Sequence, residues 1–170
     1  MVVTAGAWSG GLLESIGVAL PVEPVRGQMI LFNAKPGIVN RVVLRDGKYV
    51  IPRRDGRVLA GSTLEYVGFN KQTTEQAKQQ LADTAIDMFP ALADAQIEHH
   101  WAGLRPGAPE GIPFIGEIPE IENLYINAGH FRNGLVLAPA SVRLLTTLLL
   151  KQKTPVDPAP YALCNRELVV

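Results

Sequence analysis

A single cysteine, Cys164, stands among the 170 residues. The chain therefore forms no internal disulfide and no cysteine-based metal cluster, and a lone thiol agrees with a reducing, cytoplasmic setting. Neither sign of charge is in excess, since 16 lysines and arginines face 16 aspartates and glutamates. That balance offers nothing to draw the chain to nucleic acid or an anionic membrane, so a small molecule or another protein is the expected partner. The opening, Met1 to Gly11, has neither a basic stretch nor a long apolar one and does not read as a signal peptide. The longest apolar run, Gly134 to Leu150, is interrupted by Pro139, Ser141 and Arg143 and reads as a buried helix, not a membrane span. No Gly-x-Gly-x-x-Gly occurs; Gly6, Gly10 and Gly11 have the wrong spacing for the turn that seats a dinucleotide pyrophosphate. No metal site is expected. His99 and His100 are neighbours on a strand, so their side chains face opposite ways and make a poor chelate. No Ser-His-Asp arrangement or nucleophilic cysteine context is found.

What is present is a globular composition, 47% hydrophobic and 19% charged. Val2 to Thr4 reads as a short strand breaking at Ala5-Gly6, followed by a helix-compatible stretch from Trp8 to Ile16. Val22 to Asn33 reads as a strand, with Pro24 near its start and Gly27 as a bulge or close-approach site. Val39 to Leu44, Tyr49 to Pro52 and Val58 to Ala60 follow as strands, separated by Asp46-Gly47 and Asp55-Gly56, which are strong hairpin signals. Thr73 to Leu92 is the clearest helix: Thr73 and Gln76 suit a capping box, and Ala77, Leu81, Ala85, Met88, Phe89 and Leu92 form an apolar stripe. Pro90 disturbs its last turn. Gln96 to Ala102 alternates as a strand, a Gly/Pro-rich loop covers Gly103 to Gly116, Leu124 to Asn127 is a short strand, and a last helix runs from about Leu135 to Lys151. A proline-rich tail follows.

Four segments carry chemistry: Ala5-Gly6-Ala7-Trp8-Ser9, Tyr49-Val50-Ile51-Pro52-Arg53, Gly103-Leu104-Arg105-Pro106, and Gly129-His130-Phe131-Arg132-Asn133-Gly134. A guanidinium such as Arg105 grips a carboxylate through two parallel charge-assisted hydrogen bonds. A tyrosine hydroxyl adds a further bond. A helix N-terminus after Gly134 offers free N–H groups and the positive end of a dipole. In this order the four segments resemble the glycine oxidase and D-amino-acid oxidase superfamily of FAD-dependent oxidoreductases. The match runs from Val2 to the last helix; the last two segments are the specific ones.

The resemblance implies an α+β fold: a mostly antiparallel sheet with a packed helix, of the D-amino-acid oxidase substrate-domain type, plus remnants of the FAD-binding domain at both ends. The expected divisions are 1–20 and 111–152 for those remnants, 21–110 for the substrate-binding domain, and 153–170 for the tail. It further implies FAD as cofactor, touched by Ala5, Gly6, Trp8, Gly129, His130, Phe131, Arg132, Asn133 and Gly134. The substrate is a small amino acid or amine, held by Tyr49, Leu64 and Arg105, with Tyr49, Arg105 and Arg132 as the catalytic set. Leu64 stands where glycine oxidases often carry methionine, which keeps the wall apolar but alters its shape. His130 is expected to be a hydrogen-bonded structural residue. Glycine oxidases of thiamine biosynthesis resemble the chain most; sarcosine and dimethylglycine oxidoreductases and D-amino-acid dehydrogenases are competitors. The FAD-anchoring half is expected upstream of Val2, so the chain alone is expected to be inactive and prone to self-association. The alternative is a non-catalytic fragment or a subunit that pairs with a separate FAD-binding chain.

Overall fold

A computed structural model describes residues 1–119 and 121–163; Cys164 and the end of the tail lie outside them. The chain forms two compact units, one of Met1–Val25 with the described part of Arg105–Val170, the other of Arg26–Leu104. The architecture is α+β, as expected.

The second unit contains most of a five-stranded sheet. Its strands are β2 (Glu23–Asn33), β3 (Val43–Arg45), β4 (Lys48–Pro52), β5 (Val58–Gly61) and β6 (Gln96–Gly107), in the order β3-β4-β5-β2-β6. Both hairpin signals are real. Asp46 and Gly47 both take positive φ (50° and 73°) between the paired Arg45 and Lys48, the geometry a two-residue type I′ turn demands. At the other turn only Gly56 is left-handed (φ 92°), and Arg53 N–H bonds Arg57 O at 2.8 Å. One face of this sheet carries Ile30, Phe32, Val50, Val58 and Ala60, all buried against α2 (Glu75–Met88) through Leu81, Ala82 and Ala85. Burying each large apolar side chain there contributes about 1.5–3 kcal/mol.

The structure departs from the sequence expectation at several points, among them β3, which spans Val43–Arg45 and not Val39–Leu44. Helix α2 is capped by Thr74, whose Oγ1 accepts the Ala77 N–H at 3.3 Å, and not by Thr73. The reason is tertiary: Thr74 N–H is bound by Gln28 Oε1 at 2.9 Å, which fixes where the chain enters the helix. The helix also stops at Met88, because Pro90 opens a separate 3-10 turn, Pro90–Leu92. Strand β6 does not end at Ala102 but runs on to Gly107, so Arg105 lies on a strand and not in a loop. It is an outermost strand of its sheet, where Pro106 is tolerated. Gly107 permits the approach at its end, since a Cβ there would stand 2.8 Å from Val25 Cγ2.

The first unit holds a three-stranded sheet in the order β1-β8-β7: β1 (Val2–Val3), β7 (Phe114–Glu117) and β8 (Tyr125–Ala128). Strand β7 replaces the end of the loop expected from Gly103 to Gly116; its Phe-Ile pair is buried by antiparallel pairing with β8. Helix α1 (Ser9–Glu14) follows a 3-10 turn at Gly6–Trp8, and α3 (Gly134–Leu149) follows β8. Among the described residues no helix is long and apolar enough to cross a membrane.

Candidate functional site

Each unit carries its own set of candidate residues. In the first, β1 and β8 pair in parallel, Val2 against Tyr125 and Val3 against Ile126, so both strands end on the same side. The segment Ala5-Gly6-Ala7-Trp8 leaves one strand end, and Gly129 to Gly134 leaves the other. That edge of a parallel pair, beyond the carboxyl ends of the strands, is where α/β sheets seat ligands. Gly6 turns with φ 58° and has nothing within 4 Å of where a Cβ would stand, while Trp8 beside it is exposed.

The Gly129–Gly134 loop is tightly specified. Gly129 has φ 83°, and a Cβ there would meet Ala108 Cβ at 2.9 Å. Phe131 N–H donates to Pro106 O at 2.9 Å, tying the loop to the residue after Arg105. The loop closes on itself through Asn133 N–H to His130 O at 3.0 Å and enters α3 with Asn133 as cap. No cap side chain bonds the first turn of α3, and Leu135 and Val136 in that turn are exposed. The helix thus presents its positive end outward, two residues after the exposed Arg132, in a loop tied to the neighbour of the half-buried Arg105. Such an end suits an electron-rich ring edge or a carboxylate, so these residues fit a flavin. His130 Nε2 lies 2.9 Å from Ser141 Oγ, and burial holds its pKa below the ordinary histidine value. It is a neutral brace between loop and helix, with one ring nitrogen occupied.

In the second unit, Tyr49 pairs with Gly61 and Gly61 with Met29 across β4, β5 and β2. Cross-strand partners share a face, so the three form a row on the face opposite the α2 core. The Tyr49 hydroxyl stands 3.8 Å from Met29 Sδ. Gly61 makes room for both: a Cβ there would lie 3.0 Å from Met29 Cγ and 3.3 Å from Tyr49 Cε2. Leu64 joins the same face. Arg26 and Glu65 form a two-way backbone bridge (2.9 and 3.0 Å), and the side chains of Thr63 and Glu65 both turn to the Arg26–Gln28 side of β2, which leaves Leu64 between them to the other side, that of Met29. Tyr49 and Leu64, 15 residues apart in the sequence, are thereby brought to one face. Sequence reasoning missed Met29 and Gly61; pairing the strands through the two Asp-Gly turns was the signal that would have found them. Among the described residues no group of three or more His, Cys, Asp or Glu is placed to hold a metal ion.

Comparison with known proteins identifies the lineage. The family described as FAD dependent oxidoreductase (DAO) matches residues 1–148. The chain belongs to this family. Within it, the chain is 54% identical over 166 residues to a glycine oxidase of Pseudomonas aeruginosa, covering 98% of this chain and 46% of that protein. Among solved structures it superposes on a glycine oxidase from Geobacillus kaustophilus with a TM-score of 0.92 at 30% identity, covering 98% of this chain and 45% of the other. An iminodiacetate oxidase from Chelativorans sp. BNC1 follows at TM-score 0.87 and 31% identity, covering 95% and 45%. The chain spans about half the length of the curated relatives it matches.

Proposed function

We propose that this chain is the substrate-side part of a glycine oxidase-like enzyme that oxidises the amine of a small amino acid. The observation that carries the reading is the 54% identity to a glycine oxidase across 98% of the chain. Bound FAD would supply the hydride acceptor. Arg105 grips the substrate carboxylate as a bidentate partner, and Tyr49 donates a second hydrogen bond to it. Leu64 forms an apolar wall beside the substrate carbon. The loop Gly129–Gly134 with Arg132 supplies fixed positive potential at the turn into α3, so negative charge forming there meets dipoles already in place. Ala5, Gly6 and Trp8 give the backbone close approach to the cofactor. Orientation and electrostatics are the protein's share; the difficult chemistry is the cofactor's.

A second reading is that of a non-catalytic subunit that pairs with a separate FAD-binding chain. An apolar groove of about 380 Å³ beside β1, lined by Val2, Thr4, Leu12 and Ile16, supports such pairing. A cytoplasmic location rests on the lone cysteine, and service to thiamine biosynthesis on the sequence resemblance. The test is co-expression of this chain with the FAD-binding half of the P. aeruginosa glycine oxidase, followed by an absorption spectrum and a dye-reduction assay. A yellow complex that reduces dye with glycine is expected, and little flavin on the chain alone. A flavin-loaded complex that oxidises no small amino acid overturns the enzymatic reading.

A further inference from the structure

Two strongly polar side chains are buried side by side on β2, and the function described above does not use them. Arg26 is 5% exposed and Gln28 is fully buried. Both face the α2 side of the sheet, and both reach across to the segment that carries Leu64. Arg26 Nε donates to Glu65 Oε2 at 3.0 Å, its Nη2 makes a second contact to the same oxygen, and its Nη1 donates to Gln72 O at 2.7 Å. Gln28 Nε2 donates to Glu65 Oε1 at 2.8 Å and to Thr74 Oγ1 at 3.2 Å, while Gln28 Oε1 accepts from Thr74 N–H. Thr63 closes the set: its Oγ1 accepts the Gln28 N–H at 2.8 Å and donates to Glu65 Oε1. On the far side His100 Nε2 lies 3.0 Å from Gln28 Oε1; that oxygen only accepts, so the histidine donates.

The consequence for Leu64 is geometric. Thr63 and Glu65 are both turned onto this cluster, and side chains alternate along an extended segment. Leu64 between them is therefore held to the opposite face, the face of Tyr49 and Met29. We propose that Arg26, Gln28 and Glu65 are positioning residues that fix Leu64, and through it the size of amino-acid side chain the enzyme admits; this rests on the reading of Leu64 as a substrate wall. Burying a guanidinium and an amide is costly unless every donor is met. Here the arrangement gives a single wall position instead of a loose loop. Glu65 shows the balance: burial opposes its charge, but hydrogen bonds from Thr63, Arg26 and Gln28 outweigh that and hold its carboxyl below the usual range.

The test uses Glu65→Gln, with Thr63→Val as the gentler variant should the first fail to fold. On the 170-residue chain, leucine methyl NMR and amide exchange need no flavin. The Leu64 methyl signal, assigned by its loss in Leu64→Met, is expected to move. Exchange at residues 63–72 is expected to quicken about tenfold, the effect of losing one contact of hydrogen-bond size. Val50 and Leu81 should keep their protection. In the FAD-loaded enzyme the ratio of kcat/KM for glycine over alanine should shift by about threefold to tenfold, and that shift should vanish in a Leu64→Ala background. An unmoved Leu64 signal, or equal loosening of the whole sheet, overturns the positioning role. An unaltered ratio in Glu65→Gln, where Leu64→Ala alters it, overturns the link to specificity. If Leu64→Ala itself leaves the ratio unchanged while the NMR shift is present, the reading of Leu64 as substrate wall has failed, and the specificity proposal with it.

Discussion

Replacing Gly61 by alanine tests whether Tyr49 is held in place for substrate. The new methyl would stand 3.0 Å from Met29 Cγ, 3.2 Å from Met29 Cε and 3.3 Å from Tyr49 Cε2. Carbon atoms prefer about 3.5–4.0 Å, so the flexible thioether must retreat by roughly half an ångström and the ring by a few tenths. Gly61 is not left-handed, so alanine suits the backbone. The entropy of the unfolded chain then returns about 0.4–1 kcal/mol against an overpacking cost of about 1–3 kcal/mol. The variant should fold. Its phenol, however, leaves the 3.8 Å contact with Met29 Sδ and shifts against the substrate. A hydrogen bond to a charged group contributes about 1.5–3 kcal/mol, and forfeiting roughly half of it weakens carboxylate binding about fivefold. Tyr49→Phe, which removes the bond outright, should weaken it by about tenfold to a hundredfold. The assay is steady-state kinetics of the FAD-loaded enzyme with glycine and with an amine that lacks a carboxylate, which should be spared. A Gly61→Ala enzyme with unchanged KM for glycine, beside a Tyr49→Phe enzyme with a raised one, refutes the claim that Gly61 sets the Tyr49 position. Unchanged KM in both refutes the role of Tyr49.

Arg105→Lys should cost about 1.5–3 kcal/mol of carboxylate binding, because lysine cannot reproduce the guanidinium fork; equal losses for carboxylate and plain amines would assign the anchor elsewhere, Arg132 first. Gly129→Ala places a methyl 2.9 Å from Ala108 Cβ in a left-handed residue, and thermal unfolding should show about 1–3 kcal/mol of lost stability. His100 and His130 both have pKa values lowered by burial, His100 also by Lys78. The folded chain therefore resists protons that the unfolded chain takes up, and stability should fall as pH drops below about 6.5. Glu65, whose pKa is also lowered in the fold, adds a further loss as pH falls below the usual carboxylate range. Denaturant midpoints flat from pH 7 to about pH 4 would contradict this. Val2, Leu135, Val136 and Val142 are all exposed, and the isolated chain should self-associate; a monomer stable to dilution in sedimentation would count against it.

The parts of this fold that were legible in the sequence are those with local chemistry. Asp46-Gly47 and Asp55-Gly56 announce their turns because aspartate and glycine accept the required dihedrals at little cost. The stripe from Ala77 to Ala85 announces α2 because it repeats at helical spacing and is buried. The sequence alone ends β6 at Ala102 because Gly103, Pro106 and Gly107 are locally poor strand formers, while the partner that sustains them, β2, lies some 70 residues away. Strand β7 failed for a similar reason, being four residues among glycines and prolines. At the candidate site, the loop Gly129–Gly134 and Arg105 were legible as motifs. Their mutual attachment through Phe131 and Pro106 was not, because a backbone bond formed across 25 residues leaves no pattern in either segment.

The Arg26–Gln28–Glu65 cluster did leave a trace, and the trace was a broken rule. In Val25-Arg26-Gly27-Gln28-Met29-Ile30 the strand reading puts Arg26, Gln28 and Ile30 on one face, and the burial of Ile30 makes that the core face. A charge and an amide at core positions contradict the alternation that defines the strand. Such a contradiction survives only where the buried groups find partners. It therefore predicts an acid and further hydrogen-bonding groups brought to the same place from elsewhere in the chain, and Glu65, Thr63 and Thr74 are those groups. The sequence reading marks Gly27 in this strand as a bulge or close-approach site. The polar residues on either side of it say more: polar groups in a core face point to long-range structure that periodicity does not reveal, and here they lead to the segment that carries Leu64.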